Sequence, residues 1–352
     1  MSEAVGKMIG EDEFEEYDPL LRIKGVTPQL AQAFRDAGYY SVESIGVEVP
    51  HFLVERVGEK AGLTIEKARE IVKNARDLLP IKTMTVKELY EEELKRKRIS
   101  TGSKALNEIL GGGISTHELT EVTGVAEAGK TELVYTTAVL AIKELCFPVW
   151  VIDSEAALNA HRIYEIAEAR GLKPDEITSN MLFDRCLTSA ELMLTLERAH
   201  KIIKEKAIKY LCIDSFVSPF RRDYPGREFL AARQQKINYC AGMLLKYCWA
   251  YKMAVLVTNP VMARPEVVYS GKPEASNVPV GGNVVWHACN NRIYVMPSER
   301  EPWKWIATLI ASSYLPRASC SFHIGKAGIE DSPKETEKAQ KMAEIEKEAK
   351  IE

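Results

Sequence analysis

The chain has 352 residues, more than one typical domain, so we expect a large core domain and a small second one. Its net charge of −3 excludes a global attraction to nucleic acid, so any such affinity must come from local basic loops. The seven cysteines are scattered without a C-x-x-C pair, and the six histidines lack metal-ligand spacing. No apolar run reaches about 18 residues. These features predict a soluble cytoplasmic protein.

The first 98 residues predict a small helical domain with a tail and a linker. Residues 1–17 are acidic and poor in core-forming side chains, which is typical of a disordered tail. In residues 18–80, helical runs over 29–37 and 64–77 alternate with glycine turns, and Thr64 is a candidate N-cap. This helix-hairpin-helix pattern favours either backbone contacts to DNA phosphates or a plain packing module, and the residues leave both open. Residues 81–98 are dense in Glu, Lys and Arg and predict a linker helix.

The remaining residues predict an α/β core. Strand and helix patterns alternate from residue 99 to 330, which indicates a mainly parallel sheet with helices on both faces. Residues 331–352 alternate Glu and Lys and predict a charged C-terminal helix or tail. Within the core, the apolar runs 149–154, 210–215 and 253–259 each end in polar residues. Ligands gather at the carboxyl ends of such strands, so a site is expected there.

A phosphate-binding loop occupies residues 124–131, whose sequence is Gly-Val-Ala-Glu-Ala-Gly-Lys-Thr. It is a complete G-x-x-x-x-G-K-[ST] motif between a strand-like run and a helical run, the context that this loop requires. Backbone N–H groups wrap a polyphosphate, while Lys130 supplies charge and the Thr131 hydroxyl is placed for Mg²⁺. The predicted nucleotide-binding residues are Gly124, Val125, Ala126, Glu127, Ala128, Gly129, Lys130, Thr131 and Glu132. The alternative is an ordinary glycine turn before a helix.

Two strand-end carboxylates suggest the chemistry. Asp214 follows an apolar run, the pattern of a carboxylate that orients Mg²⁺, so Thr131 and Asp214 are the predicted metal residues. Glu155 lies just beyond the strand that ends at Asp153, and it is the candidate to orient or deprotonate an attacking water. Glu155 and Lys130 are therefore the predicted catalytic residues. Glu155 has a simpler alternative, a helix-start glutamate favoured by the helix dipole.

Two basic connections follow the strands. Four arginines fall between positions 221 and 233, among turn residues, and the long connection 260–283 carries Arg264 and Gly281-Gly282. Loops of this length are usually functional or disordered. Loops that carry Arg and Lys can track the phosphate backbone of single-stranded DNA, although solvated connections are the plainer interpretation.

Together these motifs resemble the archaeal RadA recombinases and their eukaryotic relatives. The resemblance covers about residues 20–330, at positions 99–103, 111–113, 124–131, 224–227, 230–236, 257–259, 262–265 and 281–282. It implies a RecA-type P-loop ATPase core, a helix-hairpin-helix N-terminal domain, ATP and Mg²⁺ as cofactors, and filaments or rings of the chain itself or with a related recombinase. It also implies pairing of single-stranded with double-stranded DNA and strand exchange, in the cytoplasm beside the nucleoid or in a nucleus.

The resemblance also implies residue roles. Glu155 would activate water and Arg162 would stack on adenine. The residues in or beside the DNA-binding loops would be Arg221, Arg227, Arg233, Arg264, Gly281 and Gly282.

The chain departs from the family pattern at several positions. A glutamine, a histidine and an aspartate of the family are replaced by Pro260, Asn283 and Ala311, which predicts weakened hydrolysis because these positions couple ATP to DNA or cap ATP across subunits. The Phe-x-x-Ala polymerisation motif aligns with 81–84 or 83–86, where no aromatic residue is present. A second prediction is therefore a regulatory paralogue that binds ATP and a partner recombinase without exchanging strands. A DNA-independent signalling ATPase is disfavoured by the loop motifs.

Overall fold

The computed structural model describes residues 19–58, 61–79, 84–263, 277–279, 281–301 and 303–332, and it divides the chain into two units, Met1–Glu91 and Glu92–Glu352. The predicted tail at 1–17 and nearly all of the predicted C-terminal segment 331–352 lie outside the described residues. Within the part of the chain that is described, no helix combines the length and the apolar character that a membrane crossing needs.

The N-terminal unit is helical, as predicted. A 3-10 turn, Pro19–Arg22, precedes helices α1 Pro28–Asp36, α2 Val42–Gly46, α3 Pro50–Val57 and α4 Ile65–Leu78. The Thr64 hydroxyl accepts a hydrogen bond from the N–H of Lys67, so its predicted role as N-cap of α4 is confirmed. Glycines with positive φ, Gly25 and Gly58, precede α1 and end α3. The core contains Leu20, Ile23, Phe34, Leu53 and Ile71.

Helix α5, Val86–Glu93, is shorter than the linker helix predicted over 81–98. The Thr85 N–H donates to the Glu88 carboxylate at its start, and none of its side chains is buried. Turn hydrogen bonds from the N–H groups of Lys95 and Arg96 end the helix. The chain then enters a strand at Arg98, so the end of the predicted helix was wrong.

The second unit is an α/β core. Its strands are β1 Arg98–Ile99, β2 Ile114–Ser115, β3 Leu119–Gly124, β4 Val149–Asp153, β5 Met181–Arg185, β6 Tyr210–Asp214, β7 Ala254–Ala263, β8 Asn277–Pro279, β9 Asn291–Pro297, β10 Trp305–Ser312, β11 Ala318–Gly325 and β12 Gly328–Asp331. Its helices are α6 Lys104–Ile109, α7 Lys130–Leu145, α8 Ala160–Ala169, α9 Pro174–Thr178, α10 Ser189–Glu205, α11 Ser218–Asp223, α12 Leu230–Ala250 and α13 Gly282–Ala288.

The large sheet has the strand order β12-β11-β10-β9-β3-β7-β6-β4-β5, and β1 pairs with β2 in a separate small hairpin. All pairings from β9 through β5 are parallel and those among β9 to β12 are antiparallel, which confirms the prediction of a mainly parallel sheet. Side chains alternate between two buried clusters: Val149 and Val151 of β4 belong to one, and Trp150 and Ile152 to the other. The sheet is therefore covered on both faces.

Strand β7 continues past the point where the sequence predicts a loop. The connection expected over 260–283 begins only after Ala263, and β8 pairs antiparallel with the end of β7, Val261 opposite Pro279. Pro260 itself aligns with Gly124 in the parallel ladder between β7 and β3. Proline lacks only its own N–H, so one missing donor does not end a strand whose next residues pair with β8.

Candidate functional site

The phosphate loop connects β3 to α7, as the motif predicts. At Gly124 an added Cβ would lie 2.2 Å from the carbonyl oxygen of Val295, so the backbone approaches the neighbouring strand too closely for any side chain. Gly129 has φ +84° at the start of α7, a conformation that favours glycine. Val125 is half-buried and Ala128 is buried, whereas the other two variable positions, Ala126 and Glu127, are exposed on the rim of the loop. The free N–H groups at the start of a 16-residue helix fit a polyphosphate.

Lys130 lies inside this loop. Its Nζ donates to the carbonyl oxygens of Val125 at 2.7 Å and of Gly124 at 3.1 Å. Burial lowers the pKa of the Lys130 ammonium, and the carboxylates of Asp214 and Glu155 oppose that shift. The ammonium is thus already directed at the cradle, where phosphate oxygens can replace the two carbonyls as its acceptors.

Thr131 and Asp214, the two predicted metal residues, are in direct contact. The Thr131 hydroxyl donates to Asp214 Oδ2 at 2.7 Å, and the Thr258 hydroxyl donates to Oδ1. Burial raises the pKa of Asp214, while the hydrogen bonds from Thr258 and Thr131 oppose the shift. A carboxylate and two hydroxyls are hard oxygen donors and fit Mg²⁺. Thr258 was missed as a site residue, although its place in the polar end of the apolar run 253–259 was a usable signal.

Glu155 follows β4 and is positioned by its neighbours. Its Oε1 accepts a hydrogen bond from the Ser218 hydroxyl at 2.6 Å. The carboxylate of Asp153 accepts from the backbone N–H groups of Glu155 at 3.0 Å, Ala157 at 3.3 Å and Leu158 at 3.2 Å, which fixes the turn that carries Glu155. Sequence reasoning missed both Asp153 and Ser218 as positioning residues.

Arg162 and Glu132, both predicted to bind nucleotide, form an ion pair. Arg162 Nε donates to Glu132 Oε1 at 3.0 Å, and Nη2 donates to Oε2 at 3.0 Å. The hydrogen bonds to Glu132 raise the pKa of the Arg162 guanidinium. Its Nη2 also donates to the Gly325 carbonyl at 2.6 Å, so α8, α7 and the end of β11 meet at this guanidinium.

The predicted DNA-binding arginines that the structure describes lie on one continuous segment. Arg221 is exposed on α11, Arg227 is exposed in the turn after it, and Arg233 near the start of α12 donates from Nη1 to the Tyr224 carbonyl at 2.7 Å. Arg264 lies outside the described residues. Gly281 and Gly282 begin α13 with φ +114° and +63°, so both adopt conformations that favour glycine.

Arg222, the remaining arginine of this segment, has a different environment from its neighbours. Its Nη2 donates to the carbonyl oxygens of Ser154 at 2.6 Å and Leu187 at 2.8 Å. The Arg222 guanidinium is therefore bonded to the residue before Glu155, and no sequence motif indicates this contact.

Comparisons with known proteins show which family the chain belongs to. Residues 94–332 match the family model described as Rad51. The DNA repair and recombination protein RadA of Ignicoccus hospitalis is 34% identical over 335 residues, covering 92% of this chain and 99% of the relative. Proteins of the same name from Aeropyrum pernix and Metallosphaera sedula are each 35% identical, over 328 and 335 residues, and cover 92% and 91% of this chain and 99% of each relative.

The matched span contains the phosphate loop, Glu155 and Asp214 beside it, and the arginine-bearing helices α11 and α12. Because the relatives align along nearly their whole length, the likeness is not confined to the nucleotide cradle that many unrelated ATPases possess. The chain belongs to the Rad51 family of RadA-type recombinases.

Proposed function

We propose that this chain is an ATP-dependent recombinase that assembles on single-stranded DNA and pairs it with homologous duplex DNA. The observation that supports it most directly is the meeting of Thr131, Asp214 and Lys130 at one edge of the sheet, with Glu155 on the adjacent strand end. The names of the relatives favour this proposal over the regulatory paralogue.

The cradle fits ATP with Mg²⁺. The N–H groups from Gly124 to Glu132 would surround the phosphates, Lys130 would bind the terminal phosphates, and Thr131 with Asp214 would orient the cation. When bound, ATP supplies the phosphoanhydride bond that is hydrolysed, and Mg²⁺ neutralises part of the negative charge of its phosphates. Arg162 would contact the adenine, and its ion pair with Glu132 places its guanidinium at the start of α8 beside α7.

Glu155 is the proposed water-orienting group. Its carboxylate is exposed, and the Ser218 hydroxyl bonds Oε1; among the described residues Oε2 has no hydrogen-bond partner, so it can accept a proton or a hydrogen bond from water. Hydrolysis of this kind depends mainly on positioning and electrostatics, and Asp153 supplies the positioning through three backbone hydrogen bonds.

The DNA partner is proposed to bind along α11 and the start of α12. Arg221 and Arg227 are exposed there, and Arg233, Gly281 and Gly282 are proposed to extend this surface; Arg264, outside the described residues, is proposed as a further DNA contact. Contacts to phosphates carry little base information, so no sequence preference is expected. Pro260, Asn283 and Ala311 are proposed to weaken hydrolysis. Because chromosomal DNA is the substrate, the proposed location is the cytoplasm beside the nucleoid, or the nucleus in a eukaryote.

The proposal is tested by ATP hydrolysis, filament formation and strand exchange, each with and without single-stranded DNA. A recombinase hydrolyses ATP faster when DNA is added, forms filaments visible by electron microscopy and light scattering, and exchanges strands. A rate that is unchanged over a wide DNA range, with no filaments and with retained ATP binding, would instead support the regulatory paralogue. The Glu155→Gln variant is the control that separates hydrolysis by this chain from a contaminating ATPase.

A further inference from the structure

Helix α11 lies between two parts of the proposed site. It begins at Ser218, four residues after Asp214, and ends at Asp223, directly before the exposed turn at 224–227. Pro219 and Phe220 are buried in the core, so the helix is fixed to the body of the unit while its arginines are exposed. Ser218 and Arg222 are four positions apart in this helix, so their side chains lie on the same face.

The first attachment between α11 and the catalytic turn is a side-chain hydrogen bond. Ser218 donates from its hydroxyl to Glu155 Oε1 at 2.6 Å, and its oxygen lies 2.9 Å from the Ser215 hydroxyl. A hydrogen bond to an ionised carboxylate is among the stronger ones in proteins and is sensitive to geometry. A small displacement of Ser218 therefore changes where the Glu155 carboxylate rests.

The second attachment is made by Arg222, one turn further along the helix. Its Nη2 bridges the carbonyl oxygens of Ser154 and Leu187, at 2.6 and 2.8 Å. Asp223 adds a third contact, because its Oδ2 accepts from the N–H of Ser189 at 2.7 Å and from the Ser189 hydroxyl at 2.6 Å. The Arg222 guanidinium, which lies among the loop arginines in the sequence, is thus hydrogen-bonded to Ser154, the residue before Glu155.

We propose that Ser218 and Arg222 are positioning residues, through which α11 links the exposed turn at 224–227 to the water-orienting carboxylate of Glu155. In this arrangement, DNA bound at Arg221 and Arg227 sets the position of α11, and α11 sets the position of Glu155. This inference rests on the proposed function. It gives the chain a route from DNA to the hydrolytic site that does not need a side-chain donor at Pro260.

Asp153 and Ser218 position different parts of the turn that carries Glu155. It binds the backbone of the turn from the β4 side, whereas Ser218 holds the Glu155 side chain itself. Loss of Ser218 or Arg222 leaves the Asp153 contacts intact, so the turn stays formed while the carboxylate loses its fixed position. The expected defect is therefore in turnover and in its response to DNA, with nucleotide binding preserved.

The test uses the full chain and compares Ser218→Ala, Arg222→Ala and the milder Arg222→Lys with the wild type. Arg198→Ala is the matched control, because Arg198 is an exposed arginine on α10 outside the proposed site. Steady-state hydrolysis gives kcat and KM with and without single-stranded DNA, a fluorescent ATP analogue gives nucleotide affinity, and anisotropy gives DNA affinity.

We expect the DNA-stimulated kcat of Ser218→Ala and Arg222→Ala to fall by about tenfold and the stimulation ratio to fall toward one. Nucleotide and DNA affinities should stay within about twofold of the wild type, and Arg222→Lys should recover part of the rate because lysine can still reach one carbonyl. Should Arg222→Ala fail to fold, Ser218→Ala carries the test, since it removes only a hydroxyl.

Several results would overturn the inference. If DNA stimulates hydrolysis by Ser218→Ala and Arg222→Ala as strongly as by Arg198→Ala, α11 does not control Glu155. A parallel loss of ATP-analogue binding would indicate a merely structural role, and a loss of DNA affinity in Arg222→Ala would make Arg222 a phosphate contact. If DNA does not change the hydrolysis rate of the wild type, the proposed function and this inference are both wrong. If DNA stimulates the wild type and the variants equally, only the inference is wrong.

Discussion

The buried ion pair between Glu121 and Arg292 gives the sharpest stability prediction. The two residues are register partners on β3 and β9, and their side chains are 0% and 2% exposed. The amide of Asn259 donates to Glu121 Oε1 at 2.5 Å, and the Arg292 guanidinium lies 4.2 Å from the ring centroid of Trp286. Replacement of Arg292 by Met, of similar length but uncharged, leaves a carboxylate enclosed in the sheet without its cation. Breaking one side of such a pair costs about 3–5 kcal/mol, or a melting temperature lower by roughly 6–20 °C for a unit of this size.

The same variant has a predictable pH dependence. Burial already raises the pKa of Glu121 and Arg292 opposes that shift, so Arg292→Met raises the pKa further. In the pH window between the ordinary glutamate pKa and this raised value, the folded state holds a proton that the unfolded state has lost. The free energy of unfolding therefore falls as the pH rises through the window. The deficit of Arg292→Met relative to the wild type should be largest near neutral pH and should shrink on acidification.

Thermal unfolding followed by circular dichroism, from about pH 5 to about pH 8, measures both effects. The matched control is the double variant Glu121→Gln/Arg292→Met, which removes both charges and should recover most of the lost stability. If Arg292→Met melts with the wild type at neutral pH, or if its deficit is the same at every pH, the reasoning about an enclosed unpaired carboxylate is wrong.

The remaining predictions concern the proposed site. Glu155→Gln should lower turnover by roughly 10²–10⁴-fold while ATP-analogue binding stays near normal, and lost binding would contradict the role assigned to Glu155. Lys130→Ala should weaken nucleotide affinity itself by about tenfold or more, measured by titration with the same analogue; unchanged affinity would mean that the ammonium never leaves its loop carbonyls. Arg227→Ala with Arg264→Ala should weaken single-stranded DNA binding and reduce the salt slope by about 1.4, and an unaltered slope would show that neither arginine touches a phosphate.

Much of the core could be predicted because local signals and tertiary packing agree there. Helix α10 spans Ser189–Glu205, where apolar periodicity coincides with a capping box at Thr188. Strands β4 and β6 were recognised from short apolar runs that end in carboxylates. Their adjacency in the sheet, which aligns Asp153 with Asp214, was not predictable, because strand order depends on crossovers and not on local sequence.

Contacts between distant segments account for what the sequence did not predict. Ser218 lies 63 positions from Glu155, and neither residue belongs to a motif that names the other. Thr258 reaches Asp214 only because β7 is paired with β6. Strand β7 extends past Pro260 because it pairs with β8. The sequence between the two strands is too long for the short-turn pattern by which hairpins are recognised.

Asn259 shows that the proline at position 260 does not isolate β7 from the site. The amide of Asn259 donates to Glu121, on the strand that leads into the phosphate loop, and its Oδ1 accepts from the Val217 N–H, at the start of α11, at 3.1 Å. One buried amide thus joins strand β3, strand β7 and the residue before helix α11. Pro260 offers no side-chain donor at the next position, yet it pairs in register with Gly124, and the amide before it bonds both Glu121 and Val217. The coupling proposed through α11 therefore does not require a side-chain donor at position 260, because Asn259 already bonds the start of that helix.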